Sequence, residues 1–138
     1  MIGQLYITLP VADVSPSTAF FAALGFEFDP AFASEHGAAM RIAGETRVML
    51  LGRAQFAGLS HKPVADTRAT AGMLLAVSCD SRDAVDALVA KAVAAGGRMP
   101  SPPEDADGMY QSGFEDLDGH QWGVFWADAA AFAPREGA

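Results

Sequence analysis

Three histidines and one cysteine are the side chains of this chain best suited to bind a metal ion such as zinc, and the cysteine could also act as a nucleophile. His36 precedes a glycine in a predicted turn, His61 lies in a long middle segment, and His120 follows Asp118-Gly119. None has a carboxylate at ligand spacing on the same predicted element, as a compact metal site would need. Cys79 ends an apolar run without a basic neighbour, so we interpret it as a buried hydrophobe. A single cysteine also excludes an internal disulfide and a cage of thiolates.

Carboxylates that precede the last predicted strand offer a second route to acid–base chemistry. Glu115, Asp116 and Asp118 stand close together there, but aspartate is common in turns because its side chain accepts backbone hydrogen bonds. We therefore interpret this group as a solvated acidic turn. Tyr110 and His120 are possible general acids, yet no neighbour in the sequence is placed to tune either one. The catalytic residues, if there are any, stay unknown at this level.

Charge and composition limit the partners of the chain. The 138 residues are 51% hydrophobic and 19% charged, with a net charge of −8, which favours a folded acidic domain. Such a domain repels nucleic acid and anionic lipid, so we expect a small-molecule partner. The nine basic residues are scattered, and only Arg41 with Arg47 and Lys62 with Arg68 come close to grouping. No apolar run is long enough to span a bilayer and the N-terminus has no basic leader, so we expect a cytoplasmic location.

The first half of the chain reads as a strand, a helix and three further strands. Leu5, Ile7, Leu9 and Val11 alternate with polar residues, which is the pattern of a half-buried strand. Ser15-Pro16 predicts an N-cap followed by a proline in the first helical position, and Gly25 a helix stop. The three further strands are predicted at Phe26–Phe28, Ala38–Ile42 and Arg47–Leu51.

The second half repeats this plan. A strand is predicted at Met73–Cys79, and Asp80 or Ser81 can cap the helix that follows. That helix carries apolar residues at helical spacing and ends at Gly96-Gly97. The apolar positions are Val85, Leu88, Val89 and Ala92, and the three later strands are predicted at Arg98–Pro100, Gly108–Phe114 and Gln121–Trp126.

The repeated pattern predicts an α+β fold made of two βαβββ units. We assign residues 1–127 to a single domain, with a first unit at 1–54, a connecting loop at 55–72 and a second unit at 73–127. Residues 128–138 are expected to form a frayed C-terminal tail.

Three short motifs add to this pattern: Leu-Pro-Val-x-Asp at the end of the first strand, Leu-Gly-Phe at the helix exit, and Asp-Leu-Asp-Gly-His-x-Trp near the C-terminus. In this order they resemble the vicinal-oxygen-chelate superfamily, which includes glyoxalase I, bleomycin resistance proteins and extradiol dioxygenases. The resemblance covers residues 1–127. It implies two units that curl a mixed sheet around a cleft, usually in a homodimer. In catalytic members, His or Glu residues on the strands hold a divalent metal ion.

The resemblance also locates the four metal-ligand positions in this sequence. They fall on Tyr6, Met49, Leu74 and Gly123, and none of these is a histidine, a carboxylate or a cysteine. We therefore predict no metal at the usual site and no other cofactor; a divalent metal would require a non-standard site.

The same resemblance implies that the cleft is lined by residues on the predicted strands. The candidates are Tyr6, Thr8, Met49, Leu74, Tyr110, Ser112 and Trp122, with Gly123 in place of Trp122 if the strand alternation is shifted by one residue. Such a lining suits a small, partly apolar or aromatic ligand, as in the bleomycin resistance branch. Two alternatives stay open. One is a lactoylglutathione-lyase-like or dioxygenase-like enzyme with a displaced site, and the other is a non-catalytic dimeric module.

Overall fold

A computed structural model of the chain describes residues 1–128 and divides it into two compact units, residues 1–70 and residues 71 onward. Each unit contains a four-stranded mixed sheet and a helix that packs on it, which confirms the α+β class and the paired βαβββ plan. No helix in the described range is long and apolar enough to cross a membrane.

The first unit forms a sheet in the order β1-β4-β3-β2, with β1 parallel to β4 and the other pairs antiparallel. Its main helix, α1, buries Phe20 and Phe21 in the hydrophobic core together with Leu9 and Leu50 of the sheet. The elements are β1 (Leu5–Val11), α1 (Val14–Ala23), β2 (Glu27–Phe28), a 3-10 turn (Pro30–Phe32), β3 (Gly37–Ala43), β4 (Thr46–Gly52) and α2 (Arg53–Leu59).

The second unit repeats this order as β5-β8-β7-β6, with β5 parallel to β8. Val85 and Val89 of its helix are buried, as are Phe114 and Trp122 of the sheet, whose rings stack 6.0 Å apart. The elements are β5 (Leu74–Ser78), α3 (Arg82–Ala94), β6 (Glu104–Ala106), β7 (Met109–Glu115) and β8 (Gln121–Ala127).

Three local predictions are wrong, each for an identifiable reason. Asp13, not Ser15, caps α1, because its carboxylate accepts the backbone N–H of Ser15 at 3.3 Å and the helix starts earlier. The segment predicted as a loop after β4 opens with the short helix α2. The strand predicted at Arg98–Pro100 is reduced to one bridge between Arg98 and Glu115. Prolines at 100, 102 and 103 lack the N–H that a ladder requires, so pairing resumes only at β6.

The start of α3 agrees with the prediction, since Ser81 caps the helix by accepting the backbone N–H of Ala84 at 3.1 Å. Beyond β8 only Asp128 is described, and it lies outside regular structure. The rest of the predicted C-terminal tail lies outside the described residues.

Candidate functional site

Each sheet has one face covered by the main helix of its own unit and a second face that this helix does not touch. In the second sheet Trp122 and Val124 are buried on the α3 side. Because neighbouring residues of a strand point to opposite faces, Gly123 and Phe125 belong to the other face. Ala76 shares that face, since it pairs directly with Gly123 across β5 and β8.

The face opposite α3 carries a shallow trough that runs across three strands. Its floor is the row Ala76–Gly123–Gly113, in which no side chain is larger than a methyl group. One wall is the pair Phe125–Gln111 and the other is the pair Gln121–Glu115. The two walls are four residues apart along β8, about 13 Å at the usual rise per residue. The structure has a depression of about 240 Å³ here, bordered by Ala76, Met109, Gln111, Ser112, Gly123, Val124 and Phe125.

The two glycines of the floor differ in whether the structure has room for a side chain. A Cβ atom on Gly113 would lie 2.6 Å from the backbone oxygen of Trp122, so the close approach of β8 requires glycine there. A Cβ atom on Gly123 would meet the Cβ of Ala76 at 3.5 Å, an ordinary van der Waals distance. The fold therefore tolerates a methyl group at residue 123, and the flat floor at this position is free space above the sheet.

Polar groups stand only at the walls of the trough. Gln111 and Gln121 offer side-chain amides, which both donate and accept hydrogen bonds. Glu115 is held by Arg98, whose Nε lies 3.0 Å from the Glu115 carboxylate. The arrangement suits a flat ring that lies on the floor, packs beside Phe125 and hydrogen-bonds at its edges to the amides.

Three of the predicted cleft residues lie on the opposite face, against α3, so their predicted orientation is wrong. The Tyr110 hydroxyl donates to Asp86 of α3 at 2.6 Å, which raises the pKa of Tyr110. The hydroxyl of Ser112 is buried without a hydrogen-bond partner in the described part of the chain. Trp122 is 2% exposed and part of the hydrophobic core. Side chains alternate between the two faces along a strand, so an error of one residue in the inferred alternation puts all three side chains on the wrong face. Gly123, the alternative to Trp122, lies on the other face.

Asp116 explains why Trp122 faces inward. Its carboxylate accepts the backbone N–H groups of Asp118 and His120, both at 3.0 Å, and the indole N–H of Trp122 at 3.1 Å. Asp116 and Asp118 are 6% and 7% exposed, so the expectation of a solvated acidic turn is wrong for both. Burial raises the pKa of Asp116, and the charge of His120 and the three hydrogen bonds oppose that rise. The sequence signal for this burial is Trp122, six residues after Asp116, whose indole N–H can reach a carboxylate in the turn.

The predicted residues of the first unit share one face of its sheet. Thr8 pairs with Met49, and Tyr6 pairs with Arg47 two residues away. Tyr6 is 46% exposed and its hydroxyl donates to the side-chain oxygen of Gln4 at 2.6 Å. In the second unit Leu74 is 73% exposed on the edge strand β5, on the same face as the trough.

The four family ligand positions do not fit a divalent metal ion. Tyr6 offers a phenol that is engaged with Gln4, Met49 a thioether, Leu74 an alkyl group, and Gly123 no side chain. Across residues 1–128, histidine, cysteine and carboxylate side chains form no group of three that could hold an ion. Burial and the charge of Asp80 raise the pKa of the Cys79 thiol, which favours its neutral form.

Comparison with known proteins agrees with this architecture. The family model described as Glyoxalase/Bleomycin resistance protein/Dioxygenase superfamily matches residues 3–124. A hypothetical protein from S. aureus is 28% identical, with a TM-score of 0.79 over 92% of this chain and 95% of that chain. A glyoxalase/bleomycin resistance protein/dioxygenase family enzyme from Burkholderia phytofirmans PsJN is 21% identical, with a TM-score of 0.74 over 91% and 100%. The fosfomycin resistance protein FosX from Listeria monocytogenes is 20% identical, with a TM-score of 0.69 over 96% and 99%. No curated protein matches the chain.

Proposed function

The chain belongs to the Glyoxalase/Bleomycin resistance protein/Dioxygenase superfamily, and we propose that it binds a small, flat, partly aromatic molecule in the trough without a metal ion. The observation that carries this proposal is the floor Ala76–Gly123–Gly113. Gly123 leaves open a position that the fold would allow a side chain to fill. Peptide planes without side chains accept a ring face at contact distance, and Phe125 adds an apolar wall.

The expected affinity is modest. One face of a ring covers about 100 Å² and contributes about 2.5 kcal/mol on burial at about 25 cal/mol per Å². Two edge hydrogen bonds to Gln111 and Gln121 add about 1 kcal/mol each. Before the entropic cost of binding, this total corresponds to a dissociation constant in the millimolar to high-micromolar range. Detection therefore needs a method that is suited to weak ligands.

Amide chemical shifts measured by NMR provide the direct test. Flat heteroaromatic compounds are titrated into the labelled protein and compared with saturated analogues of the same size and polarity. Because one similar structure is that of a fosfomycin resistance protein, antibiotics belong in the library. We expect the flat compounds to shift the amides of Ala76, Gly113 and Gly123. Equal shifts from the saturated analogues, or shifts confined to other surfaces, would contradict the proposal.

Metal independence is tested separately. Tag-free protein is dialysed, exposed in turn to Zn²⁺, Ni²⁺, Mn²⁺ and Fe²⁺, and its bound metal is measured by mass spectrometry. We expect no stoichiometric retention and the same ligand affinity with and without added metal, since the family positions carry no ligand groups. One equivalent of metal per chain would instead point to an enzyme with a non-standard site.

A further inference from the structure

Two arginines stand side by side on the sheet of the first unit. Arg41 of β3 pairs directly with Arg47 of β4, so both side chains project from the same face of the sheet, the one opposite α1. Like charges that are directly opposite in a sheet destabilise it. The chain has nine basic residues and a net charge of −8, so this pair concentrates positive charge on a predominantly acidic molecule.

The neighbouring carboxylates do not neutralise the pair. Glu27 pairs with Arg41 across β2 and β3 but lies outside ion-pair distance, and Glu45 accepts a hydrogen bond from the Gln4 amide at 2.9 Å. Within residues 1–128, Arg82 forms an ion pair with Asp105 and Arg98 forms one with Glu115. Arg41 and Arg47 therefore have no carboxylate partner in the described range.

The guanidinium of Arg47 is already oriented. Its Nη1 donates to the backbone oxygens of Gly44 at 2.9 Å and Thr46 at 3.3 Å. In the described structure Nε and Nη2 have no protein acceptor, and these are the donors with which arginine grips two oxygens at once. Anchoring by the backbone lowers the entropy that Arg47 loses when it binds a ligand.

An adjacent cavity provides space for an organic group. Arg41 and Glu27 line an open cavity of about 440 Å³ together with Phe26, Ile42, Gly25, Ala43 and Gly44. The volume falls in the range of small-molecule sites. Phe26 packs edge-on against Phe21 at 6.0 Å between ring centres, which gives the cavity a firm aromatic wall.

We propose that Arg41 and Arg47 form a binding site for the oxyanion, a carboxylate or a phosphate, of a small organic molecule whose body lies in the cavity beside Phe26. The residues of this site belong to the first unit and those of the trough to the second, so the inference goes beyond the function proposed above. Arg47 holds the anion by its free donors, and Arg41 supplies the second positive charge.

Titration with phenyl phosphate, benzoate and the neutral benzyl alcohol tests the proposal at constant ionic strength. The readout is the NMR signal of the arginine Nε–H groups together with calorimetric affinity. We expect phenyl phosphate or benzoate to shift the signals of both arginines and benzyl alcohol to shift neither; the stronger of the two anions identifies the source of the oxyanion. The absence of shifts from either anion at millimolar concentration would overturn the proposal.

Charge-matched variants separate the site from the overall charge of the protein. Arg41→Gln and Arg47→Gln are expected to weaken binding of the better anion about tenfold or more, as the loss of a charge-assisted hydrogen bond implies. Lys62→Gln removes the same charge from an exposed position outside the site and should leave affinity unchanged. The melting temperature of Arg41→Gln should stay the same or rise, because a repulsion is removed. Equal weakening by Lys62→Gln would show a non-specific charge effect and refute the site.

Discussion

Substitution of Gly123 by alanine and then by valine fills the trough without disturbing the sheet. The alanine methyl would lie 3.5 Å from the Cβ of Ala76, an ordinary contact, and the backbone of Gly123 has no positive φ that would strain a side chain. Stability should therefore be unchanged or rise by about 0.4–1 kcal/mol, since alanine restricts the unfolded chain more than glycine does. If binding is lost while stability is unchanged or higher, damage to the fold cannot be the cause of the loss.

The loss of binding follows from the contact area. A flat ring on the floor buries about 100 Å² of one face, worth about 2.5 kcal/mol at about 25 cal/mol per Å². The alanine methyl lifts one end of the ring and should remove about half of that energy, or roughly tenfold in affinity. Valine should remove nearly all of it, or roughly sixtyfold. The assay is NMR or calorimetric titration of a flat ligand found in the screen, with thermal unfolding measured in parallel.

Gly72→Ala is the matched control, because a Cβ atom at that position meets nothing within 4 Å and its φ is not positive. This control should change neither affinity nor the selectivity for flat over saturated ligands. If Gly123→Val folds with at least the stability of the parent protein and binds the ligand with unchanged affinity, the trough is not the site.

Three further predictions concern the residues behind the trough. Asp116→Asn should lower the free energy of unfolding by about 1–3 kcal/mol, because the amide group cannot accept from both Trp122 and the two backbone N–H groups. Asp107→Asn is its control in urea unfolding, since asparagine tolerates the left-handed φ of 57° as aspartate does. Burial raises the folded-state pKa of Asp116 above 3.8, the ordinary aspartate value. Protonation of Asp116 therefore stabilises the folded state fully below that pH, and this stabilisation is lost as the pH rises through the folded-state pKa. Urea unfolding across acidic pH should therefore show the stability of the parent protein relative to Asp116→Asn falling as pH rises; a constant difference would contradict the raised pKa. Tyr110→Phe should remove the bond to Asp86 and lower the melting temperature slightly while it leaves ligand affinity intact; a large loss of affinity would place Tyr110 at the ligand after all.

Local sequence patterns predicted the helices and strands whose formation depends on residues a few positions apart. The alternation from Leu5 to Val11 corresponds to β1, and the apolar spacing from Val85 to Ala92 lies within α3. Strand alternation and helical spacing depend on residues a few positions apart, so they can be read in a single sequence. The prediction of a strand at Arg98–Pro100 was wrong, because strand pairing depends on a partner that is distant in the chain. The prolines in and after this segment prevent continued pairing, which resumes at β6.

Only part of the candidate site could be predicted from the sequence. Tyr6, Thr8 and Met49 share one face of the first sheet, and strand alternation alone was enough to group them. Tyr110, Ser112 and Trp122 were assigned to the wrong face, because aromatic and hydroxyl residues alone do not reveal which side of a strand packs against a helix. The hydrogen bond from Trp122 to Asp116 resolves that choice, and it exists only once the turn between β7 and β8 has formed.

The family, the paired βαβββ plan and the lack of ligand groups at the four metal positions could be predicted from residue types in a fixed order. Which side chains share a surface depends instead on the tertiary structure. The register of β8 against β5 and β7 aligns Ala76, Gly123 and Gly113 into one floor, and the register of β3 against β4 places Arg41 beside Arg47. Register is a relation between segments distant in the chain, set by the packing of each sheet on its helix.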